Sequence, residues 1–549
     1  MRRVLLAVAL SAAVLVAGPR AQVPVDRDPR TPRLVVLLVV DQLRADYVER
    51  FSHQWSSGLR RLLAEGAWFR QAEYPYYNTV TCAGHATIGT GAMPSVHGMV
   101  MNDWWDRDSR KVVTCTEDAS ATAISYGAPV KARGESLARL RVPALADEMR
   151  AQLSPAARVI GFSLKARSAA PLVGRHPDAV AWFDDNGAWV TSSAFSNGPI
   201  AEVADFVRRY PIDGDFAKSW DRTLPESAYL YEDRAIGVGL VRGDMTPAFP
   251  HSLSGRSHSP DRAYYTRWQS SPYADEYLAR MATDVAQHMR LGTTTGSTDM
   301  IAVGFSALDK VGHDYGPNSH EVQDVLIRLD RTLGDFFTNL DQMVGAGNYV
   351  VALSADHGVA PIPERARQYG LDAGRLDGDV IVNTVETALA RAFGKGNYVS
   401  RLVDSEIYLQ PGVYARLRGQ PAALQSVGDA LRAIEGIASV HTRDEIERGG
   451  VRDDGVAARL MGSHFPGRSG DLVFVTRPYW VIEAGGTSHG TGYAYDARVP
   501  VLLMGKGITP GEYLASVSPL DIAPTLALLS HVTLPYGQGR VLSEALSRR

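Results

Sequence analysis

The sequence predicts an α/β fold built on a largely parallel, doubly wound sheet that is flanked by helices. Short runs of aliphatic and β-branched residues alternate along the chain with segments of helical periodicity, a pattern typical of strand–helix–strand units. Several runs are apolar throughout, as strands are when both faces of a parallel sheet are covered. The 549-residue chain has 45% hydrophobic and 21% charged residues, which excludes a disordered, collagenous or coiled-coil protein.

The first buried strand is predicted at Leu34–Val40, where seven consecutive aliphatic residues leave no polar face. Four later runs have the same character and predict further strands, in chain order Arg158–Ser163, Asp299–Phe305, Tyr349–Ser354 and Val499–Met504. A helix is predicted over about Glu321–Met343, because its apolar residues recur every three or four positions. The apolar stripe of that helix consists of Val322, Val325, Leu326, Leu329, Leu333, Phe336, Phe337 and Leu340.

Two stretches interrupt this alternation and predict insertions. Residues about 170–275 are rich in Trp, Tyr, Pro and Ser, and we expect a cap or a set of long loops there. Residues about 365–480 predict a small α+β insertion, with strands at Glu406–Leu409 and Asp471–Thr476 and a helix at Ala422–Ile434. A single domain over residues 22–549, elaborated by these two insertions, is therefore expected.

The N-terminus has the pattern of an export signal. Arg2 and Arg3 precede an apolar run, Val4–Ala17, which is followed by small residues up to Ala21. The run has about 14 residues, fewer than the roughly 20 that a membrane-spanning helix needs. We expect residues 1–21 to be a cleaved signal peptide that directs the protein to the periplasm or the exterior, with no membrane span afterwards; an uncleaved anchor is the less favoured alternative.

The net charge limits the classes of binding partner, and the cysteine content bears on the redox state of the compartment. Lys and Arg total 57 and Asp and Glu total 60, so the formal net charge is −3 and no basic field is available for nucleic acid. We therefore expect no nucleic-acid-binding surface. The two cysteines, Cys82 and Cys115, would be able to form a disulfide in an oxidising compartment. The sequence leaves that pairing open.

Acidic residues follow three of the predicted strands at the point where each strand ends. Asp41 directly follows the first strand, Asp309 follows the third after a short turn, and Asp356 follows the fourth. Because the carboxyl ends of parallel strands line one ligand crevice, we expect these side chains to converge. A lone aspartate after a strand is more often a helix cap or a turn residue. The occurrence at three strand ends is what indicates a functional site.

Two histidines accompany these acids and point to a metal. His313 comes four residues after Asp309, and His357 directly follows Asp356. Crowded carboxylates repel one another unless positive charge neutralises them, and a divalent ion is the usual solution. In a helix the Asp309 and His313 positions share one face, so both would reach the same ion. Mixed Asp and His ligands favour zinc or another transition metal over calcium or magnesium.

A candidate nucleophile lies in the small, polar segment of residues 78–87. A hydroxyl at a helix N-terminus meets oriented backbone N–H groups and the positive end of the helix dipole, which favours anion binding. Thr81 is a candidate for a metal-activated nucleophile there. From the residues alone Thr79 is nearly equal to it, and an ordinary helix cap is the more common role of either. Cys82 is a further candidate, as a thiol without recognisable partners.

Together these motifs resemble the alkaline phosphatase superfamily over about residues 33–530. In chain order they are Asp41, Thr81-Cys82-Ala83-Gly84-His85, Asp309 with His313, Asp356-His357-Gly358, His489-Gly490-Thr491 and Asp521-Ile522-Ala523-Pro524-Thr525. More narrowly, the chain is similar to bacterial alkaline phosphatases of the PafA and PhoK type, which use threonine as the nucleophile. That subgroup is marked here by Asn102-Asp103-Trp104 and Lys165-Ala166-Arg167.

The resemblance implies a site with two Zn²⁺ ions per chain. One ion would be held by Asp309, His313 and His489. The other would be held by Asp41, Asp356, His357 and the Thr81 oxygen. Thr81 would be the nucleophile, and the non-bridging phosphoryl oxygens would be bound by Asn102, Lys165 and Arg167. His85 and His97 are expected only to pack or to support the site.

The implied function is that of an exported, zinc-dependent alkaline phosphatase that hydrolyses phosphate monoesters through a phosphothreonine intermediate and releases inorganic phosphate. The nearest alternative is a phosphodiesterase or nucleotide pyrophosphatase of the same superfamily, which would lack the Lys165 and Arg167 pair. A sulfatase does not fit, because the segment after Cys82 lacks the required Pro and Arg. A cofactor-independent phosphoglycerate mutase would use serine in the cytoplasm. The complete ligand set disfavours a non-catalytic exported binding protein.

Overall fold

The computed structural model describes residues 30–548 except 128, 130, 232, 234–236, 238–244, 295 and 450–454. The predicted signal peptide lies outside the described residues. Within them, none of the helices combines the length and the apolar character that crossing a bilayer requires.

The described residues form both long buried strands and short peripheral ones. The strands are β1 (Leu34–Val40), β2 (Gly66–Ala72), β3 (Asp103–Asp106), β4 (Lys111–Thr114), β5 (Ala123–Ser125), β6 (Val159–Ser163), β7 (Ala179–Asp184), β8 (Ala188–Ser192), β9 (Ser219–Trp220), β10 (His251–Ser252), β11 (Asp299–Phe305), β12 (Tyr349–Ser354), β13 (Gly374–Arg375), β14 (Val399–Val403), β15 (Glu406–Leu409), β16 (Ile437–Thr442), β17 (Leu472–Thr476), β18 (Trp480–Val481), β19 (Val501–Gly505) and β20 (Gly511–Val517).

Helices connect most of the long strands. They are α1 (Ala45–Phe51), α2 (Gly58–Glu65), α3 (Thr81–Thr90), α4 (Pro94–His97), α5 (Leu145–Gln152), α6 (Ala166–Val173), α7 (Ala201–Arg209), α8 (Arg262–Gln269), α9 (Pro272–His288), α10 (Ala307–Tyr315), α11 (His320–Val344), α12 (Pro363–Gln368), α13 (Gly378–Phe393), α14 (Val413–Arg418), α15 (Pro421–Arg432), α16 (Arg443–Glu447), α17 (Gly455–Ser463), α18 (Ala494–Ala497) and α19 (Ile522–Leu529).

The central sheet is mostly parallel, as predicted, and its middle strand is β1. The ten strands follow the order β20-β2-β19-β12-β1-β11-β6-β7-β8-β5. Strand β1 pairs in parallel with β11 on one side and with β12 on the other. All seven residues of β1 are buried, which explains why the run has no polar face. Helices cover both faces, and one apolar core lies on each side of the sheet.

One predicted strand has a direction that its sequence did not reveal. The run Val499–Met504 has the same apolar character as the parallel strands, and it forms β19 at Val501–Gly505, which begins two residues later and ends one residue later than predicted. Strand β19 pairs antiparallel with both β12 and β2. An apolar run indicates that both faces of a strand are buried. Antiparallel strands inside a covered sheet are buried on both faces too, so the run could not distinguish the two directions.

The predicted long helix is confirmed as α11, one residue longer at each end than the predicted Glu321–Met343. All eight residues of its predicted apolar stripe are buried. Helix α11 packs against α2, α9 and α10, on the face of the sheet that carries the larger core. The 3.6-residue period therefore identified both the helix and the face that it buries.

The two segments predicted as insertions differ in structure. Residues about 170–275 begin with the end of α6 and with β7 and β8, which extend the central sheet, and continue through α7, α8 and short strands. Residues about 365–480 contain a second, antiparallel sheet of order β14-β15-β17-β16, which packs with α13 and α15 around its own apolar core. This second sheet lies beside the carboxyl-end rim of the central sheet, where it forms one wall of a cavity.

Candidate active site

The three predicted acids converge at one rim of the central sheet. Asp41 follows β1, Asp309 lies in the first turn of α10 after β11, and Asp356 follows β12; all three side chains are buried. Because β1 lies between β11 and β12 in parallel register, their carboxyl ends meet at the same edge. The convergence that was expected from the strand ends is what the fold produces.

Lys165 lies between two of these acids. It follows β6, and its Nζ is 2.9 Å from Asp41 Oδ2 and 2.6 Å from Asp309 Oδ2. The resemblance assigned this lysine to phosphoryl oxygens, whereas here its ammonium bridges the two carboxylates. Carboxylate oxygens at these distances give the ammonium charge-assisted hydrogen bonds, and burial of all three groups strengthens them.

The charges around Lys165 keep these groups ionised. Burial opposes ionisation of Asp41, but Lys165 and His85 outweigh it and hold the pKa of the carboxyl well below its usual range. Asp309 is affected in the same way, with Lys165 and His313 outweighing burial and lowering its pKa. The pKa of Lys165 is raised in turn, because Asp309 and Asp41 outweigh the effect of burial. Buried carboxylates outnumber the buried ammonium, so the cluster has capacity for further positive charge.

Three predicted histidine ligands are oriented by backbone carbonyls. In each ring Nδ1 lies 2.8–2.9 Å from a carbonyl oxygen: His313 from Thr487, His357 from Gly358 and His489 from Thr79. A carbonyl oxygen only accepts, so each Nδ1 carries the proton, and in a neutral ring Nε2 keeps its lone pair. All three Nε2 atoms face the acids, which is the arrangement in which histidine binds a metal.

The Nε2 atoms lie close to the carboxylates that were predicted to share ions with them. His313 Nε2 is 3.2 Å and His489 Nε2 is 3.9 Å from Asp309 Oδ1. His357 Nε2 is 3.1 Å from Asp356 Oδ2, and its ring stacks on that of His489 with centroids 3.4 Å apart. Helix α10 places Asp309 and His313 on one face, as their spacing predicted.

His85 lies inside the site, although the sequence gave it only a packing or supporting role. It is fully buried on α3, and its Nδ1 is 2.9 Å from the carbonyl oxygen of Thr81. Its Nε2 is 3.2 Å from Asp41 Oδ1, and its Nδ1 is 3.5 Å from Asp356 Oδ2. His85 is four residues after Thr81 on one helix face, and that spacing was the signal available in the sequence.

The ligand atoms group differently from the assignment that the resemblance implied. Two groups have their ligand atoms within 4.8 Å of one another: Asp309 with His357 and His489, and Asp41 with His85 and Asp356. His357 thus lies nearer the first group than was implied, and His85 occupies the position beside Asp41 and Asp356. Because His357 also contacts Asp356, its ring stands at the boundary between the two groups.

The donor set fits divalent metal ions. Asp41 Oδ1, Asp356 Oδ2 and His85 Nε2 are buried and make no well-aligned hydrogen bond among the described residues, although Asp41 Oδ1 and His85 Nε2 lie 3.2 Å apart. Buried carboxylate oxygens and imidazole nitrogens without partners are costly unless they coordinate a cation. The combination of oxygen and nitrogen donors suits zinc or another transition metal.

The structure separates the two threonines that the sequence left nearly equal. Thr79 Oγ1 donates a hydrogen bond to the carbonyl oxygen of Thr491 at 2.7 Å, so its hydroxyl is committed to the backbone. Thr81 is the first residue of α3, and its Oγ1 lies 3.5 Å from His357 Nε2. Cys82 is excluded as a free thiol nucleophile, because it forms a disulfide with Cys115.

Helix α3 approaches the acids closely because it carries a glycine. A Cβ added to Gly84 would lie 2.4 Å from the carbonyl oxygen of Asp356, which is too close for any other residue. The N-terminal turn of α3 is thereby held against the segment that follows β12. Thr81 consequently faces the metal-ligand groups and lies at the positive end of the helix dipole.

Asn102 and Arg167, which the resemblance assigned to phosphoryl binding, are both half-buried near these groups. Asn102 Oδ1 accepts a hydrogen bond from the Cys82 N–H at 2.9 Å, so the amide Nδ2 is the end left to donate. Arg167 is the second residue of α6, and its buried Nε has no hydrogen-bond partner within the described part of the chain. An amide and a guanidinium offer donors of the type that phosphoryl oxygens accept.

Gln42 is a site residue that the sequence analysis missed. Its Nε2 donates to Asp309 Oδ1 at 2.9 Å, and its backbone N–H donates to Asp356 Oδ1 at 3.1 Å. Its φ of 69° lies in the left-handed region, which is uncommon for glutamine and marks a constrained turn after β1. Its only signal in the sequence was its position directly after Asp41.

Comparison with known proteins adds relatives that span nearly the whole chain. The sequence profile of the type I phosphodiesterase/nucleotide pyrophosphatase family matches residues 35–493. Alkaline phosphatase PafA of Elizabethkingia meningoseptica is 31% identical over 529 residues, covering 94% of this chain and 95% of that protein. A protein of Myroides odoratus named calcium-transporting ATPase is 30% identical, with 94% and 95% covered. Alkaline phosphatase PhoK of Sphingomonas sp is 30% identical, with 93% and 91% covered.

The fold is similar to a solved structure of one of these relatives. The crystal structure of wild-type PafA superposes with a TM-score of 0.88 at 30% identity, and the match covers 94% of this chain and 99% of that one. A PafA variant in which a threonine, an asparagine, a lysine and an arginine are replaced superposes with a TM-score of 0.87 at 29% identity, with the same coverage.

Proposed function

Since this chain belongs to the type I phosphodiesterase/nucleotide pyrophosphatase family of the alkaline phosphatase superfamily, we propose that it is an exported alkaline phosphatase that binds two zinc ions. It hydrolyses phosphate monoesters through a phosphothreonine intermediate on Thr81 and releases inorganic phosphate. The names of PafA and PhoK support the monoesterase assignment. The nearest alternative remains the phosphodiesterase or nucleotide pyrophosphatase activity for which the family is named.

The observation that carries the proposal is the ammonium of Lys165 between Asp41 and Asp309, with the guanidinium of Arg167 close enough to act on the charge of Lys165. A monoester dianion brings more negative charge on its non-bridging oxygens than a diester, and two cations meet that excess. The solved PafA variant supports the residue assignment, because it alters the same four residue types that occur here, in the same chain order, at Thr81, Asn102, Lys165 and Arg167.

The ligands proposed for the first zinc are Asp309, His313 and His489. Those proposed for the second are Asp41, Asp356, His357 and Thr81. Zinc at these positions supplies Lewis-acid chemistry, which lowers the pKa of a hydroxyl and neutralises charge on the substrate. The protein's own contribution is to hold these ligands in place: carbonyls orient the histidine rings, and Gln42 and His85 bind the free carboxylate edges.

Thr81 performs the first chemical step. Its Oγ forms a bond to phosphorus while the bond between phosphorus and the leaving oxygen breaks; the leaving oxygen takes the electron pair, and the proton given up by Thr81 ends on it, so that an alcohol is released. Water then attacks the phosphothreonine, which releases inorganic phosphate and restores the Thr81 hydroxyl. Thr81 is the first residue of α3, so the positive end of the helix dipole favours the negative charge of the phosphoryl group in both steps.

Asn102, Lys165 and Arg167 position the phosphoryl group. The Asn102 amide is fixed with Nδ2 as its free donor, and Arg167 offers a planar fork of N–H groups from the first turn of α6. Lys165 stands between Asp41 and Asp309, so a phosphoryl group that bridges the two metal-ligand groups comes against its ammonium. Phosphoryl transfer needs little beyond such positioning and charge neutralisation.

A zinc-dependent assay with matched substrates tests the proposal. We expect the purified protein to hydrolyse p-nitrophenyl phosphate with a far higher kcat/KM than bis-p-nitrophenyl phosphate. Exhaustive chelation should abolish turnover, and among divalent ions zinc should restore it best. A preference for the diester would favour the alternative activity, and full activity in a protein shown to contain no metal would refute the metal-dependent mechanism.

Export is the second part of the proposal. The disulfide between Cys82 and Cys115 supports it, because such bonds persist mainly in oxidising compartments. The charged and apolar pattern of residues 1–21 provides the signal. N-terminal sequencing of the mature protein from periplasmic and culture-fluid fractions should give a start just after Ala21. Recovery of an intact N-terminus in the cytoplasm would contradict this part.

A further inference from the structure

A cavity of about 270 Å³ opens beside the candidate active site, between the rim of the central sheet and the second sheet. On the side of the central sheet it is lined by Asn102, His313 and His489. Two of these are proposed ligands of the first zinc. A group attached to the phosphoryl oxygen nearest that zinc would therefore extend into this cavity.

The wall opposite the active site comes from the segment after the second sheet. Trp480 and Val481 form β18, and the adjoining Ile482 continues the same apolar strip along the cavity. Trp480 is held in place, because its indole N–H donates to Asp372 at 3.1 Å. A rigid apolar and aromatic wall suits the carbon skeleton of an organic alcohol.

Three carboxylates line the cavity: buried Asp496, which accepts hydrogen bonds from Thr491, and two on the same side as this strip. Asp404 lies in the two-residue turn between β14 and β15, and Glu483 follows Ile482; both are exposed and line the cavity. Asp404 is open to solvent on the cavity side, but the protein atoms packed around the rest of its turn, together with the charges of Asp103, Glu483 and Glu406, raise its pKa to about 7. The carboxylate is therefore ionised at the alkaline pH of a phosphatase assay.

No cation among the described lining residues offsets these two charges, since Lys and Arg are absent from that set. The nearest guanidinium that contacts this segment belongs to Arg375, which donates to the backbone oxygen of Glu483. The charge of Arg375 is matched by Glu364, whose two carboxylate oxygens it contacts at 2.8 and 2.6 Å. The cavity thus has an acidic outer end, in contrast to the cationic phosphoryl side formed by Lys165 and Arg167.

We propose that this cavity binds the leaving group of the substrate, and that Asp404 and Glu483 select monoesters whose leaving group is cationic or uncharged over those that carry further negative charge. The inference rests on the proposed monoesterase function and adds the class of alcohol that is released. A volume of about 270 Å³ is close to the lower end of the range for pockets that bind small molecules, which suits a small organic alcohol.

A series of isosteric substrates tests the charge selection at pH 8.5. Phosphocholine carries a cationic leaving group, 3,3-dimethylbutyl phosphate is its uncharged isostere, and 3-carboxypropyl phosphate carries an anionic group of similar length. We expect kcat/KM to fall in that order in the wild-type protein. Exposed charge pairs change binding by roughly twofold to fivefold each, so two carboxylates should separate successive substrates by about fourfold to 25-fold.

The variant that tests the assignment is Asp404→Asn combined with Glu483→Gln. Asparagine tolerates the φ of 47° at position 404, so the substitution removes charge without straining the turn. In this variant we expect the kcat/KM values of the three substrates to lie within about twofold of one another, while kcat/KM for the uncharged substrate stays close to its wild-type value. The matched control is Asp335→Asn combined with Glu276→Gln, which removes two exposed charges from α11 and α9, away from the cavity. The control should keep the wild-type order.

The outcomes separate the inference from the function on which it rests. If the wild-type protein hydrolyses all three monoesters but kcat/KM does not follow the charge of the leaving group, selection by Asp404 and Glu483 is overturned. The monoesterase function is then unaffected. An order that survives in the double variant also overturns that selection. Failure to hydrolyse any of the three, in a protein shown to contain zinc, overturns the monoesterase function and the inference together.

Discussion

Asn102 is held to Cys82 by a hydrogen bond from the Cys82 N–H to Asn102 Oδ1, with a length of 2.9 Å. The other cysteine of the disulfide, Cys115, donates its own N–H to the backbone oxygen of Asn102, also at 2.9 Å. Both cysteines of the disulfide therefore hydrogen-bond to Asn102, the residue that is proposed to bind a phosphoryl oxygen. Because Cys82 directly follows Thr81, the same link ties the nucleophile to this donor.

Removing the disulfide should weaken both the fold and the site. Closing a loop over a sequence separation of 33 residues is worth about 2–4 kcal/mol in the free energy of unfolding. We expect the Cys82→Ala/Cys115→Ala variant to lose about that much in urea denaturation and to lose kcat/KM as Asn102 becomes less well held. Reduction with tris(2-carboxyethyl)phosphine, in buffer that contains excess zinc, should reproduce both losses in the wild-type protein and leave the variant unaffected. Unchanged stability after confirmed reduction would contradict the prediction.

The hydroxyls of Thr81 and Thr79 should have separate roles. Thr81→Ala is expected to lose nearly all turnover while still binding inorganic phosphate, because only the nucleophile is removed. Thr79→Ala should remain active and lose about 1 kcal/mol of stability, since its hydroxyl bonds the Thr491 carbonyl. Single-turnover assays, phosphate titration and urea denaturation on both variants make the comparison. An inactive Thr79 variant beside an active Thr81 variant would show that the nucleophile is misassigned.

Lys165 and Arg167 should distinguish monoesters from diesters. Replacing both with Ala removes two charge-assisted contacts of roughly 2–3 kcal/mol each, which predicts a fall of about 10³- to 10⁴-fold in monoesterase kcat/KM. Diester hydrolysis should fall far less, because a diester carries less charge on its non-bridging oxygens. The measurement is kcat/KM for both p-nitrophenyl substrates, with zinc content determined on the same samples.

Zinc content is the control that this prediction needs, because Lys165 also contacts Asp41 and Asp309. Full zinc occupancy combined with an equal loss on both substrates would mean that the pair supports the site as a whole. In that case Lys165 and Arg167 would not be responsible for distinguishing the charge of a monoester from that of a diester.

His85 should contribute to metal binding, because it contacts two proposed ligands of the second zinc, Asp41 and Asp356. Residues that orient ligands in this way typically change metal affinity by about 10- to 100-fold. We expect His85→Ala to bind zinc more weakly by that factor, as measured by competition with a chromophoric chelator. His288→Ala, at an exposed position at the end of α9, is the matched control. Equal zinc affinity in both variants would refute the role of His85.

Several features of the site followed from local sequence pattern. A run of seven aliphatic residues is buried wherever it lies, so β1 was predictable, and an acid directly after such a strand belongs to the strand's carboxyl end. The spacing of Asp309 and His313 required only that their segment be helical, as α10 is. These inferences succeeded because helix and strand periods are set by the backbone and do not depend on distant partners.

Other features depend on contacts between segments that are far apart in the chain. Lys165 meets Asp41 and Asp309 because β6, β1 and β11 are placed by the sheet, and His85 reaches Asp356 because Gly84 lets α3 approach the end of β12. Neither contact could be inferred from the local sequence around the residues that make it. The antiparallel direction of β19 also had no signature in the sequence. An apolar run indicates that a strand is buried but does not indicate the direction in which the strand runs.

The sequence by itself therefore determined the fold class and the positions of the main buried strands, and it indicated most of the residues that are proposed to hold metal and phosphate. The tertiary structure decided how those residues pair: which threonine hydroxyl is free, which end of the Asn102 amide faces the substrate, and where the acidic cavity beside Trp480 lies. The reason is physical. Periodicity and residue type fix local conformation and burial, whereas hydrogen bonds, ion pairs and cavities arise only when packing brings distant segments within a few ångströms.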